Sequence, residues 1–320
     1  MTARRTRLAD GRWHWQHGPI DLVIQAQGDA QAVAAAHEAA WRRFSVLLDE
    51  LVGELPALRR PMTTAPQPPW RGAVARRMWQ ACAAVQGALP QRPFITPMAA
   101  VAGAVAQELA ACYARAGIER AWINNGGDIA LHLGAGASVK VGVFSDLARF
   151  DPAATAPPAL DGRFEITADM PVRGVATSGW RGRSFSLGIA DSVTVLAPTA
   201  ALADAAATLV ANAVDVPDAA IRRLPASQCK DDTDLGDIPV TVGVPPLAPG
   251  QVHRALDAGT RCARQLQAAG LVHAAALACQ QQWRIVSADE DNALRTGEVA
   301  HPRATGSVLA CPENRALHTP

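Results

Sequence analysis

Residues 122–133 read WINNGGDIALHL, and they decide how the middle of this chain folds. Trp, Ile and Leu favour strands, whereas Asn, Gly and Asp favour turns. The pattern predicts a strand, a tight turn over residues 124–128 and a second strand over residues 129–133. Two interpretations of the turn stay open. It is either an ordinary hairpin turn, for which the glycines supply positive φ, or a loop whose bare backbone approaches a ligand, with Asp128 as its polar contact.

The composition of the chain excludes several classes of partner. Of its 320 residues 49% are apolar, which is enough for a sizeable core, and the formal net charge is only +1. We therefore expect neither nucleic acid nor a membrane surface as a partner. No apolar stretch approaches ~18 residues without a polar break, so no transmembrane helix is predicted. The six cysteines contain no CxxC pair and no export signal is visible, so the sequence indicates the cytoplasm.

Helices are predicted before and after a central block of strands, which indicates an α+β fold rather than a regular βαβ alternation. The predicted helices cover residues 29–53, 73–86, 96–117, 199–214, 250–269 and 271–281. The predicted strands cover residues 11–28 as a hairpin, then 120–124, 128–133, 138–144, 163–168, 173–177, 192–197 and 282–287. Residues 288–320 are polar and lack periodicity, so we expect a loose C-terminal tail after a single domain over residues 1–287.

The segment SVTVLAPTAALADAAATLVANAVD (192–215) carries the first candidate site. Asp204 and Thr208 are four residues apart on the predicted helix, so their side chains stack on one face, roughly opposite a stripe that contains Leu202 and Leu209. A carboxylate and a hydroxyl in this arrangement can bind one hard cation such as Mg²⁺. The alternative is a solvated face, on which Asp204 only favours the first turns of the helix.

The loop RGVATSGWRGRSFSLGIADS (173–192) carries the second candidate site. It places Thr177, Ser178, Arg181 and Arg183 among several glycines. Guanidinium groups and bare backbone amides are suited to binding phosphate. The alternative is a flexible loop that carries solvated charges.

Three separated stretches resemble, in the same order, the ApbE family of FAD:protein FMN transferases. They are INNGGDI (123–129), GVATSG (174–179) and SVTVLAPTAALADAAAT (192–208). The chain is most similar to the cytoplasmic branch of that superfamily, in which FITPMAAVAGAVA (94–106) replaces the glycine-rich segment of the family. The resemblance implies an α+β domain with a central, mostly antiparallel sheet flanked by Ala-rich helices.

The resemblance also implies a set of site residues. Asp204 and Thr208 would bind Mg²⁺ and serve catalysis, with the backbone carbonyl of Ala102 as a third ligand. The turn and the T-S-G segment would bind FAD or FMN through Asn125, Gly126, Gly127, Asp128, Thr177, Ser178 and Gly179. We infer Arg181 and Arg183 as auxiliary phosphate contacts from the chemistry of their side chains alone.

One family feature is missing. Family members carry a His-x-x-Asp-Pro-x-x-Gly stretch between the second and third motifs, where this chain has SFSLGIAD (184–191) and Asp191 as the nearest remaining base. The leading hypothesis is a Mg²⁺-assisted enzyme that cleaves FAD at its pyrophosphate, joins FMN to a Thr of an acceptor protein and releases AMP. Two alternatives stay open: a flavin-nucleotide binding module without transfer activity, and a related enzyme that acts on another phosphorylated or aromatic cofactor.

Overall fold

The fold is built around one nine-stranded sheet. The computed structural model describes residues 2–62, 70–143, 162–182 and 184–287, and the backbone of residues 307–310. From edge to edge the strands are β1 (Arg4–Arg7), β2 (Trp13–His17), β3 (Ile20–Gly28), β4 (Ile118–Asn125), β5 (Asp128–Leu133), β8 (Gly174–Ser178), β9 (Ser192–Ala197), β12 (Ala274–Cys279) and β13 (Gln282–Ser287). Every neighbouring pair in this sheet is antiparallel.

Two smaller sheets complete the strands of the described residues. One contains β14 (Ser307–Ala310), β6 (Ser138–Val143) and β7 (Gly162–Thr167), in that order. In it β14 pairs in parallel with β6, and β6 pairs antiparallel with β7. The other sheet contains β10 (Arg222–Pro225) and β11 (Pro239–Gly243).

Successive side chains of a strand point to opposite faces, and this alternation gives the large sheet two cores. On one face Ile123 packs with the helices, and on the other face Trp122 packs with β6 and β7. The helices are α1 (Ala30–Leu58), α2 (Ala73–Gly87), α3 (Val101–Ala110), α4 (Ala200–Ala213), α5 (Ala226–Cys229) and α6 (Pro249–Ala268). Short 3-10 turns at Pro97–Ala100 and Ala111–Tyr113 flank α3.

The predicted α+β fold is confirmed, with its mostly antiparallel central sheet and its Ala-rich helices. The helix predicted for residues 271–281 is wrong, because AAALAC forms strand β12. Alanine favours helices in isolation, but all six of these residues are buried between β9 and β13, and tertiary packing decides such segments. The sequence also failed to reveal β1, β10 and β11.

The boundary between the expected domain (1–287) and tail (288–320) stays a prediction. Residues 288–306 and 311–320 lie outside the described residues, and residues 307–310 form strand β14. No helix in the described part of the chain is long and apolar enough to cross a membrane.

The two-residue turn between β12 and β13 gives a prediction about stability. Gln280 and Gln281 both have positive φ, 45° and 65°, where a Cβ is strained. Gln281 is exposed, so Gln281→Gly should relieve the strain and raise the free energy of unfolding by roughly 0.5–1 kcal/mol. Thermal denaturation measures the change, with Gln281→Val as the control that should lower the melting temperature. An unchanged or lower melting temperature for the glycine variant would show that the turn is not strained.

Candidate functional site

The turn inside WINNGGDIALHL is a two-residue hairpin turn between β4 and β5. Asn125 pairs with Asp128 across it, which leaves Gly126 and Gly127 as the turn residues. Their φ angles of 63° and 112° lie in the region that glycine enters without strain. The amide of Gly127 donates a hydrogen bond to Asn124 Oδ1 over 2.8 Å. The hairpin alone therefore accounts for both glycines, and their contact with a ligand stays a prediction.

Asp128 and Thr177 bring two of the predicted stretches together. The backbone amide of Thr177 donates a hydrogen bond to Asp128 Oδ1 over 3.2 Å. The hydroxyl of Thr177 lies 2.9 Å from that of Thr194 on the neighbouring strand β9. Thr177 and Ser178 both keep partial exposure at the end of β8. The carboxylate of the turn and the hydroxyls of the T-S-G segment thus lie at the same end of the neighbouring strands β5 and β8.

Asp204 is held by the beginning of α3. The amide of Gly103 donates a hydrogen bond to Asp204 Oδ2 over 2.9 Å, and the amide of Ala102 also bonds to this carboxylate. Ala100, the residue before α3, makes no side-chain capping bond, so Asp204 satisfies the free amides of α3 from the neighbouring helix. The side chain therefore lies between two helices rather than on a solvated face.

Gly103 is the residue that allows this contact. A Cβ at Gly103 would lie 2.2 Å from the carbonyl oxygen of Ala200 and 2.9 Å from Asp204 Cβ. Only a glycine lets α3 and α4 approach so closely. Burial raises the pKa of Asp204 to about 7, while the amide bonds of Gly103 and Ala102 act in the opposite direction.

The carbonyl of Ala102 meets the hairpin turn. Asn125, which is only 8% exposed, donates a hydrogen bond from Nδ2 to the Ala102 carbonyl oxygen over 3.1 Å. Because Ala102 lies inside α3, this carbonyl is also the regular helix acceptor for the amide of Ala106. The amide group of Asn125 thus bonds to α3, and the predicted contact of Asn125 with a nucleotide stays a prediction.

The three groups predicted to bind a cation would all offer oxygen ligands. Thr208 lies one turn after Asp204 on α4 and is partly exposed. Across the described ranges no group of three or more His, Cys, Asp or Glu residues could hold a metal ion. A site at α4 would therefore combine one carboxylate, one hydroxyl and the Ala102 carbonyl, a donor set suited to Mg²⁺ rather than to zinc.

Asp191 connects the loop after β8 with the β12–β13 turn. Its Oδ1 lies 3.3 Å from both Trp180 Nε1 and Arg181 Nε, and its Oδ2 accepts from the amide of Gln280 over 2.5 Å. A carboxylate that is bonded on both oxygens by N–H groups is stabilised as an anion. Asp191 is therefore a structural acceptor, and Arg181 is paired with it.

Gly179 and Arg183 are the other two residues of this loop that were predicted as ligand contacts. Gly179 is buried, and a Cβ there would lie 2.4 Å from the carbonyl oxygen of Asp191, so glycine is required by the close approach of two backbone segments. Arg183 lies outside the described residues.

Sequence reasoning missed Asp234 and the importance of Gly103. The hydroxyl of Thr96, at the beginning of the helix predicted for residues 96–117, donates to Asp234. Burial, followed by the nearby charges of Asp204 and Asp234, raises the pKa of the Cys82 thiol, so Asp234 lies near this site. A glycine inside an Ala-rich helix could have indicated the close approach at Gly103, whereas nothing in the sequence pattern indicated Asp234.

The chain is similar to several proteins named UPF0280. A UPF0280 protein of Methanopyrus kandleri is 38% identical over 212 residues, which cover 63% of this chain and 75% of that protein. UPF0280 proteins of Methanothrix thermoacetophila and Methanoculleus marisnigri are 37% and 39% identical, and each match covers 40% of this chain and 49% of the relative. The chain thus spans three quarters of the first relative and about half of the other two.

A solved structure and a family model also match. The crystal structure of Pseudomonas stutzeri flavinyl transferase ApbE, in its apo form, overlaps 89% of this chain and 93% of its own, with 11% identity and a TM-score of 0.38, which is too loose for assigning residues. The family model described as AbpE bacteria matches residues 5–285, from β1 into β13. This match covers all three motifs and confirms the family that they indicated. The chain belongs to this bacterial ApbE-type family.

Proposed function

We propose that this protein binds a flavin nucleotide, FAD or FMN, together with Mg²⁺. The observation that carries the proposal is the network of Asp204, the beginning of α3 and Asn125. Through it the helix after β9, the Ala-rich helix and the Gly-Gly-Asp turn meet in one place. Membership of the family supports the same ligand.

The cation would be held by Asp204, Thr208 and the Ala102 carbonyl. Bound there, Mg²⁺ would supply Lewis-acid stabilisation of negative charge on the pyrophosphate. The protein side of this site is rigid, because Asp204 bonds to α3 and the Ala102 carbonyl bonds to Asn125.

The nucleotide would lie at the end of strands β5 and β8, where the turn and the T-S-G segment are found. Gly126 and Gly127 present backbone without side chains, and Asp128 is oriented by the amide of Thr177. Thr177 and Ser178, whose hydroxyls could bond to the nucleotide, are partly exposed at this end of the strands. Arg181, oriented by Asp191, and Arg183 would be auxiliary phosphate contacts.

The full family reaction, transfer of FMN to a Thr of an acceptor protein, is the second candidate function. It requires a group that takes the proton of the acceptor hydroxyl, a contribution of about 10²–10⁴-fold. Residues 184–191 contain no histidine, and Asp191 is already bonded by Trp180, Arg181 and Gln280. These contacts favour binding with slow or absent transfer. The expected cytoplasmic location stays a prediction.

Substitutions of Asp204 separate its structural role from metal binding. Asp204→Asn keeps an oxygen that can accept from the α3 amides, whereas Asp204→Ala removes it. Without Mg²⁺, the alanine variant should be less stable than the asparagine variant by roughly 0.5–2 kcal/mol, as for a lost helix cap. Both variants should lose Mg²⁺ binding in calorimetric titrations with FAD present, because the charge is gone.

The two measurements can fail independently. Wild-type Mg²⁺ affinity in Asp204→Asn would disprove the metal assignment. Equal melting temperatures of the two variants would instead disprove the capping role. The control is Asp218→Asn, whose side chain bonds to Ala220 and Gln251 and which should bind Mg²⁺ as the wild type does.

An acceptor assay decides between binding and transfer. The protein is incubated with FAD, Mg²⁺ and an acceptor protein of the family reaction, and the intact mass of the acceptor is measured. We expect saturable FAD binding and slow or absent addition of FMN, because Asp191 is engaged and histidine is missing. Rapid, complete addition of one FMN would show an ordinary transferase. No binding of FAD or FMN would reject the proposed ligand and leave another cofactor as the substrate.

A further inference from the structure

A cleft separate from the site above lies between the first turns of α1 and strands β1 to β3. Its volume is about 560 Å³, within the usual size of small-molecule sites. Its apolar lining, the floor, includes Ile24, Ala26, Ala30 and Val33, of which Ile24 has no exposed surface. Its polar lining includes Arg7 and His37, and it shares no residue with the Asp204 site.

His37 offers one ring nitrogen to this cleft. Its Nδ1 lies 2.8 Å from the hydroxyl of Tyr113, a side chain with no exposed surface. Burial, and then the charge of Arg7, lower the pKa of His37 to about 4, so the ring is neutral at neutral pH. The buried phenol has no other acceptor among the described residues, so it donates to Nδ1 and leaves the proton on Nε2. His37 therefore presents an N–H donor.

Arg7 supplies the charge of the cleft. Its guanidinium lies 5.5 Å from the centre of the Trp13 ring and forms no ion pair within the described part of the chain. The two lining carboxylates are already neutralised, since Asp10 pairs with Arg12 over 2.7 Å and Glu38 with Arg5 over 2.5 Å. The net charge left in the cleft is positive.

These contacts define the chemistry of a ligand. Two donors, the Arg7 guanidinium and His37 Nε2–H, are next to an apolar floor with the Trp13 ring as one wall. We propose that this cleft is a second binding site, for a small carboxylate with a flat apolar body. Its carboxylate would bond to Arg7 and His37, and its apolar part would lie on Val33 against Trp13.

The site can be tested with a matched pair of probes and a matched pair of variants. The probes are 3-phenylpropionate and its neutral amide, 3-phenylpropanamide, titrated by ligand-observed NMR with saturating FAD present. The variants are Arg7→Ala and Arg4→Ala, which remove the same charge from the same strand. Arg4 is three residues before Arg7 and so lies on the opposite face of β1.

We expect the acid to bind the wild type with saturation and the amide to bind about tenfold more weakly. Arg7→Ala should lower the affinity for the acid by about tenfold, and Arg4→Ala by less than about twofold. Equal losses in both variants would show a general charge effect and overturn the site. Absence of saturable acid binding, or equal affinity for acid and amide, would also overturn it. Arg7 lies outside the proposed nucleotide site, so binding of the acid at that site would not distinguish Arg7→Ala from Arg4→Ala.

Discussion

The close contact of α3 with α4 at Gly103 is the constraint on which the candidate site depends. With a Cβ at this position 2.2 Å from the Ala200 carbonyl oxygen, the two helices could not approach. Their approach places Asp204 against the free amides of α3, in a partly buried position where an unpaired carboxylate would be costly. Fold and site thus depend on the same few atoms, because the carboxylate that caps α3 is also the candidate cation ligand.

The antiparallel sheet brings distant parts of the sequence to the end of the sheet where the β4–β5 turn lies. In the registers Asn125–Asp128, Ser178–Val193 and Cys279–Gln282, strands β4, β8 and β12 all finish at the same end of the sheet. The turns and loops that follow these strands therefore lie at the same end of the sheet, although up to about 150 residues of sequence separate them. Local sequence patterns can reveal each turn, but only the strand order shows that the turns lie at the same end of the sheet.

The sequence predicted what depends on local chemistry and failed where packing decides. The Gly126-Gly127 turn, the position of α4 and the four strands β4, β5, β8 and β9 follow from turn residues, helical spacing and alternation. Strand β12 was predicted as a helix, since six buried residues rich in alanine carry no strand period. The bonds of Asn125 to Ala102 and of Thr96 to Asp234 join segments far apart in sequence, and no local pattern encodes them.

The electrostatics of Asp204 explain how one residue can serve both fold and ligand. Removing a carboxylate from water raises its pKa, here to about 7, and two amides at the beginning of α3 offset only part of that cost. A divalent cation on the remaining oxygen would offset the rest, since it favours the charged form more strongly than neutral donors do. The amide of Gly103 donates to Oδ2 and holds the side chain in one orientation, so that binding requires little loss of side-chain freedom. Capping and cation binding are therefore compatible: the cap orients the carboxylate, and the cation would neutralise the charge that the cap leaves uncompensated.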